Sequence, residues 1–499
     1  MGKLLDGLKD EFNYGITENG AKKHLTTKSD VLDMFALCGS YRNRSDDDCI
    51  LAFKKAYEEN AELALKCLFY LRDVRGSQGE RRFFRVCFKW LAVNDTEAAL
   101  RNLPYISEYG RWDDLIYSCI DTPCKKEMLK IIEDQLALDL CSKTPSLLGK
   151  WMPSENASSK ITKAVADQLR TALGLSHRDY RKMLSFLRSK INIVEKLMSE
   201  NRWDEIEFDK IPSKAGMIYK NAFARRDILA KKYEAFAKDK DTKVNAKTLY
   251  PYDIAHQAFY CKMDDEVNRE MIQKFWDNLP DYYNGRVENS IAIVDVSGSM
   301  YGRPLEAAVS LGAYVAEHSK GFFANHFITF SSNPQLVKFE GTDIVDKFRR
   351  AETANWGGST NIEKTMNLLL ETAIKNEVPS SEMPTTLYIF SDMEFDRCVT
   401  TGLNNTNTFY GYNENYINLS KVNTLFEATK EKWNQFGYEL PDVIFWNLAA
   451  RNNNIPAIGK GFSCVSGFSM NMIECILSGK DGIDLMYEKL DSDRYFNIK

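Results

Sequence analysis

From about residue 50 the apolar side chains fall at three-to-four spacing. Ile50-Leu51-Ala52-Phe53, Ala56-Tyr57, Leu63-Ala64-Leu65 and Cys67-Leu68-Phe69-Tyr70-Leu71 are followed by Phe83-Phe84, Val86-Cys87-Phe88 and Trp90-Leu91. That period places them on single faces of helices. Short breaks at Arg75-Gly76-Ser77-Gln78-Gly79, Asn102-Leu103-Pro104 and Tyr109-Gly110-Arg111 separate them, and further helices are predicted over 125–141, 160–173, 177–189 and within 213–238. The pattern predicts helix from the N-terminus to about residue 285. No repeat of fixed period occurs, so the expectation is a solenoid-like helical array.

At residue 290 the period changes. Ser290 to Val296 is a continuous apolar run of strand type, and Pro304–His318 reads as a helix. The alternation continues with strands at 326–330, 335–339, 386–390, 442–448 and 462–467 and helices at 361–375, 420–436 and 470–477. Buried strands alternating with helices specify a doubly wound, mostly parallel sheet. The chain is therefore expected to be multi-domain, with an all-α domain over 1–287 and an α/β domain over 288–499. An insertion rich in Asn, Thr, Tyr and Gly at about 394–418 is long for a loop and is a candidate binding lid at the sheet's carboxyl edge.

Composition narrows the class. At 499 residues with 44% hydrophobic and 12% aromatic side chains, the chain has material for more than one packed core. No apolar run approaches about 18 residues, and Met1-Gly2-Lys3-Leu4-Leu5-Asp6 has no apolar signal region. The expectation is a cytoplasmic protein with no membrane partner. Its eleven cysteines are scattered singly, with no CxxC pair, and read as buried free thiols. The net charge of −4 conceals an asymmetry: residues 160–247 carry 21 basic against 12 acidic side chains, whereas 289–499 carry 18 against 25. One half suits polyanions and the other a cation. A solvated basic face on a helical domain is the plainer alternative.

Candidate chemistry concentrates at the strand ends. Asp295-Val296-Ser297-Gly298-Ser299 follows the first buried strand, Gly357-Gly358-Ser359-Thr360-Asn361 precedes a helix, and Ser391-Asp392-Met393 closes the strand 386–390. Loops at that edge of a parallel sheet converge. Carboxylates and hydroxyls at such density offer hard oxygens for Mg²⁺ or Mn²⁺. Alternatively, Asp295 and the serines only cap the following helix. The three strings resemble the metal-ion-dependent adhesion site of von Willebrand factor A domains, ordered Asp-x-Ser-x-Ser, then Thr, then Asp. Carried over by position, the resemblance implies that Asp295, Ser297, Ser299 and Thr360 line the metal, with Asp392 acting through water or a hydrogen bond. Such a site leaves an open coordination position that fits a partner's carboxylate. No GxxxxGK[ST], HExxH or GxSxG motif occurs. Asp113 and Asp114, beside Trp112, read as a helix cap. A binding protein is expected and no catalytic residue is assigned, a metal-dependent hydrolase being a third class that lacks a candidate base.

Two basic clusters stand in the helical half. Leu71-Arg72-Asp73-Val74-Arg75-Gly76-Ser77-Gln78-Gly79-Glu80-Arg81-Arg82 sets arginines among glycines, and Arg178, Arg181, Lys182 and Arg188 form a stripe with Tyr180 interleaved. Forked donors beside flexible backbone suit phosphates. This makes Arg72, Arg75, Arg81, Arg82, Arg178, Arg181, Lys182 and Arg188 candidate RNA contacts. In the alternative, Asp73 and Glu80 pair with the neighbouring arginines and fix helices together.

Leu71 to Arg81, Tyr109-Gly110-Arg111-Trp112-Asp113-Asp114-Leu115, Tyr180 to Ser185, Val194 to Ser199, Trp203 to Phe208 and Ile211-Pro212-Ser213 resemble the helical region of an uncharacterised intracellular family. Its members end in a von Willebrand A-like domain. The architecture is similar to that of the TROVE-containing Ro autoantigen proteins, ring-shaped RNA-binding scaffolds, and Ser176-His177-Arg178-Asp179 resembles a motif of their helical repeats. The resemblance implies a HEAT- or TROVE-like helical array, and a ribonucleoprotein scaffold that binds RNA through its helices and a protein or acidic ligand through Mg²⁺. A metal-dependent protein-interaction adaptor with no RNA role is the alternative.

Overall fold

A computed structural model describes Leu4, Leu8 and residues 12–191, 194–286, 288–330, 334–352, 361–396, 424–477 and 482–499. A helical N-terminal region is followed by a part containing a six-stranded, mostly parallel sheet. The two compact units do not follow a cut at 287/288. One comprises Met1–Arg44 and Leu249–Lys489, and the other Ser45–Thr248 and Leu490–Lys499.

In the helical unit, polar side chains set where each helix begins. Ser45 and Asp48 form a capping box on Asp46–Glu59, Asn60 caps Ala61–Arg72, Asp95 caps Thr96–Asn102 and Ser176 caps His177–Lys190. Each satisfies amide N–H groups that the helix leaves without carbonyl partners. The inner faces bury an aromatic cluster. Phe69 meets Phe84, Phe88 and Tyr109 edge-on, with ring centroids 5.2, 6.2 and 5.4 Å away. The last ten residues return to this core, stacking Tyr495 on Tyr109 at 5.6 Å.

In the sheet-bearing unit the strands are β1 (Tyr14–Ile16), β2 (Lys22–His24), β3 (Ser290–Asp295), β4 (His326–Phe330), β5 (Gln335–Lys338), β6 (Thr386–Ser391), β7 (Asp442–Asn447) and β8 (Phe462–Ser466). The main sheet runs β5-β4-β3-β6-β7-β8, parallel except for the β4–β5 hairpin. Ile293 pairs with Ile389, and Ile389 with Phe445, so central strands buried on both faces align their apolar runs. The helix Arg303–His318 lies directly on β3: a Cβ on Gly312 would collide with the Val294 side chain.

Three features differ from the sequence reading. Residues 14–24 form an antiparallel hairpin, not helix. Lys22, Lys23 and His24 are all buried there, so no apolar alternation marks the strand; tertiary partners hold them instead, Glu427 for His24 at 2.9 Å and Asn454 for Lys23. The helices Pro251–Phe259 and Glu266–Asp277 pack within the sheet-bearing unit, His256 meeting Glu306 at 2.8 Å and Trp276 donating to Glu317 at 2.6 Å. Seven of the described cysteines are buried, but Cys141 is exposed and Cys464 half-buried. No helix among the described residues is long and apolar enough to cross a membrane.

Candidate functional site

The carboxyl ends of β3, β6 and β7 converge, as the strand order requires, because β3 pairs with β6 and β6 with β7. Asp295 ends β3 with no solvent exposure. Its Oδ1 accepts from the Ser297 amide at 2.9 Å and its Oδ2 from Ser391 Oγ at 2.5 Å. The Ser297 and Ser299 hydroxyls lie 3.1 Å apart, Ser297 buried and Ser299 exposed. Asp392, also fully buried, follows β6; its Oδ1 accepts from the Glu394 amide at 3.2 Å and its Oδ2 from Arg451 Nη2 at 3.1 Å. Met393 takes a left-handed backbone (φ +62°), which turns the chain so that Ser391, Asp392 and Glu394 all reach inward.

Burial dominates the electrostatics. Loss of water and the nearby Asp392 charge push the Asp295 carboxyl up to about 7, against the Ser297 and Ser391 hydrogen bonds, which favour the anion. Burial likewise raises Asp392, opposed by Ser299, the Glu394 amide and Arg451. Of these two buried carboxylates, Asp392 is paired with the half-exposed guanidinium of Arg451. Of the five residues expected to share a metal, Asp295, Ser297, Ser299 and Asp392 occupy this rim. Thr360 lies outside the described residues, as does the proposed lid from 397 to 418, whereas Glu394 and Phe395 are buried and Asp396 bridges to Gly20.

Several rim residues have no sequence signal. Glu394 accepts from the Glu18 amide at 2.9 Å and from Asn452 Nδ2 at 2.8 Å; Asn19 donates to the Glu394 carbonyl at 2.6 Å. Glu18 also lies 3.4 Å from Arg451. Glu18 and Asn19 stand more than 370 residues from Glu394, and Asn452 stands 58 away, so no local pattern links them. Only Ser391, adjacent to Asp392, was within reach of motif reading.

The arginine-rich candidates divide. Arg72 is 2% exposed and donates twice to the fully buried Asp114, at 2.8 and 2.6 Å, so it cannot present itself to RNA. Asp114 also accepts from Arg85 and from the Arg111 amide, capping the helix Trp112–Cys119 as its sequence suggests. Asp73 forms its ion pair with Arg494, not with a neighbouring arginine side chain, and accepts from the Arg75 amide at 2.9 Å and the Tyr495 hydroxyl at 3.1 Å. A Cβ on Gly76 would lie 2.7 Å from Arg494 Nε, so this glycine makes room for a side chain where the sequence suggests a phosphate. Arg188 is fixed by Gly149 O, Ser154 Oγ and Met152 O, each at 2.9 Å, and Arg82 pairs with Asp46. Tyr180 is fully buried and donates to Pro153 O at 2.8 Å, which removes it as a stacking platform. Arg75, which donates to the Glu108 carbonyl at 2.8 Å, Arg81, Arg178, Arg181 and Lys182 are exposed. Near them, Glu155, Asp167 and His177 gather ligand-type atoms, but Arg170 already pairs with both carboxylates, at 3.2 and 2.6 Å.

Comparison with known proteins gives two matching family models. One described as a domain of unknown function, DUF2828, matches residues 17–120 and 130–282, and another, DUF7788, matches 289–495. An uncharacterised protein of Acanthamoeba polyphaga mimivirus is 32% identical over 94% of this chain and 85% of its own length. Among solved structures, the Ro (RSR) protein of Deinococcus radiodurans is similar at 12% identity and a TM-score of 0.48, covering 90% of this chain and 99% of that one.

Proposed function

The chain belongs to the DUF2828 family, and from that premise we propose that it is a non-enzymatic scaffold whose sheet rim holds a divalent cation and, through it, an acidic ligand. The rim corresponds to the adhesion-type site of a von Willebrand A-like domain. Asp295, Ser297, Ser299 and Asp392 would line Mg²⁺ or Mn²⁺, with Thr360 the remaining candidate. A bound cation supplies a Lewis-acidic anchor for a carboxylate. The observation that carries this reading is the pair of fully buried carboxylates, Asp295 and Asp392, set beside two hydroxyls with Arg451 as the cation at hand. Burying like charges together is unfavourable unless a cation offsets them. Calorimetric titration with Mn²⁺ tests it: uptake by the native protein and none by Asp295→Ala is expected. Equal heats from both, or none from either, would sink the assignment.

For the helical unit the reading is RNA binding through the exposed Arg75, Arg81, Arg178, Arg181 and Lys182. The basic excess of residues 160–247 supports it. Phosphate-dominated affinity falls steeply with salt, so a filter-binding series from low to physiological salt should show a strong decline; a flat response excludes this ligand. A specific observation favours the second reading, an adaptor with no RNA role. Arg72, Arg82 and Arg188 are engaged within the protein. Absorbance at 260 and 280 nm of the purified chain separates the two.

A further inference from the structure

Resting on the cation-site reading, we infer that Arg451 is the site's own counter-charge, neutralising Asp392 when no divalent ion is bound and transferring to Glu18 when one arrives. The two ends of the Arg451–Asp392 pair differ in what they tolerate. The Asp392 side chain has no solvent exposure, whereas that of Arg451 is 47% exposed. A buried carboxylate left without a cation is costly, but a guanidinium half in water can release its partner. A divalent ion on Asp392 meets the need of the buried group, and its charge then opposes the guanidinium that shares the same carboxylate. Burial raises the Asp392 carboxyl and the Arg451 charge counters it, an effect that either cation would have.

Glu18 is placed to receive the released group. Arg451 Nη2 lies 3.1 Å from Asp392 Oδ2, and Arg451 Nη1 lies 3.4 Å from Oε2 of the exposed Glu18. One guanidinium thus reaches both carboxylates through different nitrogens, so the transfer needs a swing of the side chain and no movement of the backbone. The surrounding chain is tied down. The Arg451 carbonyl accepts from Arg44 Nη1 at 2.7 Å. Asn452 Nδ2 donates to Glu18 Oε1 at 2.9 Å and to Glu394 Oε1 at 2.8 Å, and Asn454 Nδ2 donates to the Met393 carbonyl at 3.2 Å. From the other side, the turn between β1 and β2 grips the stretch that follows Asp392. Thr17 Oγ1 donates to the Phe395 carbonyl at 2.7 Å, and the Glu18 amide to Glu394 Oε2 at 2.9 Å. Asp392 and Glu18 are therefore held in one frame, with the half-exposed arginine between them.

Calorimetric titration of the full chain with Mn²⁺ provides the test. Arg451→Gln should bind Mn²⁺ about ten-fold tighter than the native protein, and Glu18→Gln about three-fold weaker, because the arginine loses its alternative partner. Added to Arg451→Gln, Glu18→Gln should have no further effect. In chelator-treated protein Arg451→Gln should lower Tm, and Mn²⁺ should then raise it by more than it raises the native Tm, a reversal that a merely structural arginine would not produce. Arg303→Gln, which removes an exposed charge four residues beyond Ser299, should change the affinity by less than about two-fold. Should Arg451→Gln fail to fold, Glu18→Gln at its exposed position carries the test. Absence of Mn²⁺ uptake by the native protein fells the underlying cation site and this inference with it. Uptake with Arg451→Gln binding no tighter than the native protein, or with an equal gain from Arg303→Gln, overturns the exchange alone. Native affinity in Glu18→Gln, or a loss that persists without the arginine, overturns the transfer to Glu18.

Discussion

Arg72 and Asp114 form the most completely buried ion pair described, 2% and 0% exposed along their side chains. Removing one partner leaves the other charged and without compensation, so Arg72→Ala should lower stability by about 3–5 kcal/mol in a denaturant titration. Its RNA affinity relative to native protein, measured on the folded fraction, should not change. Asp295 poses the opposite case, a buried carboxylate whose charge is disfavoured by burial and by Asp392. In chelator-treated protein at pH 8, Asp295→Asn should raise stability by up to about 4 kcal/mol, the order expected for a rise to about 7. It should also abolish any rise in Tm on adding Mn²⁺; a Tm that still rises with Mn²⁺ in the variant contradicts the assigned ligand. Asp295, Ser297, Ser299 and Asp392 were readable because they follow the ends of β3 and β6 with fixed local spacing. Arg72 was not, because its partner stands 42 positions away and charge pairing leaves no periodic trace.

Helices were legible where an apolar stripe met a clear cap, as at Lys160–Ala172 and His177–Lys190. Where polar residues are buried by distant partners, as in β2, the period vanished and the hairpin was missed. The caps themselves make quantitative claims. Asp95 accepts from the Ala98 amide at 3.0 Å and from the Tyr57 hydroxyl at 2.7 Å, which hold its carboxyl below the usual value. A depressed folded value stabilises above the unfolded carboxylate pKa of about 3.9 and is lost as pH falls through the folded one. Asp95→Ala should therefore cost about 1 kcal/mol at pH 7 and progressively less in acid, measured by urea unfolding at several pH values. Gly76→Ala places a methyl group 2.7 Å from Arg494 and 2.9 Å from Asp73. The overpacking should cost about 1–3 kcal/mol, and a neutral result would refute the close approach.

The change of grammar near residue 290 marked where the six-stranded sheet begins, yet it did not mark which stretches pack together. Composition cannot report that Met1–Arg44 joins Leu249–Lys489, or that Leu490–Lys499 completes the helical unit, because both are long-range associations. The last ten residues contribute Arg494 to Asp73, Tyr495 to Tyr109 and Lys499 to Asn102. Deleting 491–499 should expose 45–248 to limited proteolysis while 290–477 stays protected; unchanged cleavage would show these contacts to be dispensable.

Because the chain passes between units at 44/45, 248/249 and 489/490, the order of synthesis and the order of assembly cannot coincide. Tyr14 to His24 leaves the ribosome long before Glu394, Glu427 or Asn454 exists to receive it, and Asp73 waits for Arg494 across more than four hundred residues. Neither unit can complete its packing until its last segment has been made, and unpaired charge awaits its partner in the interval.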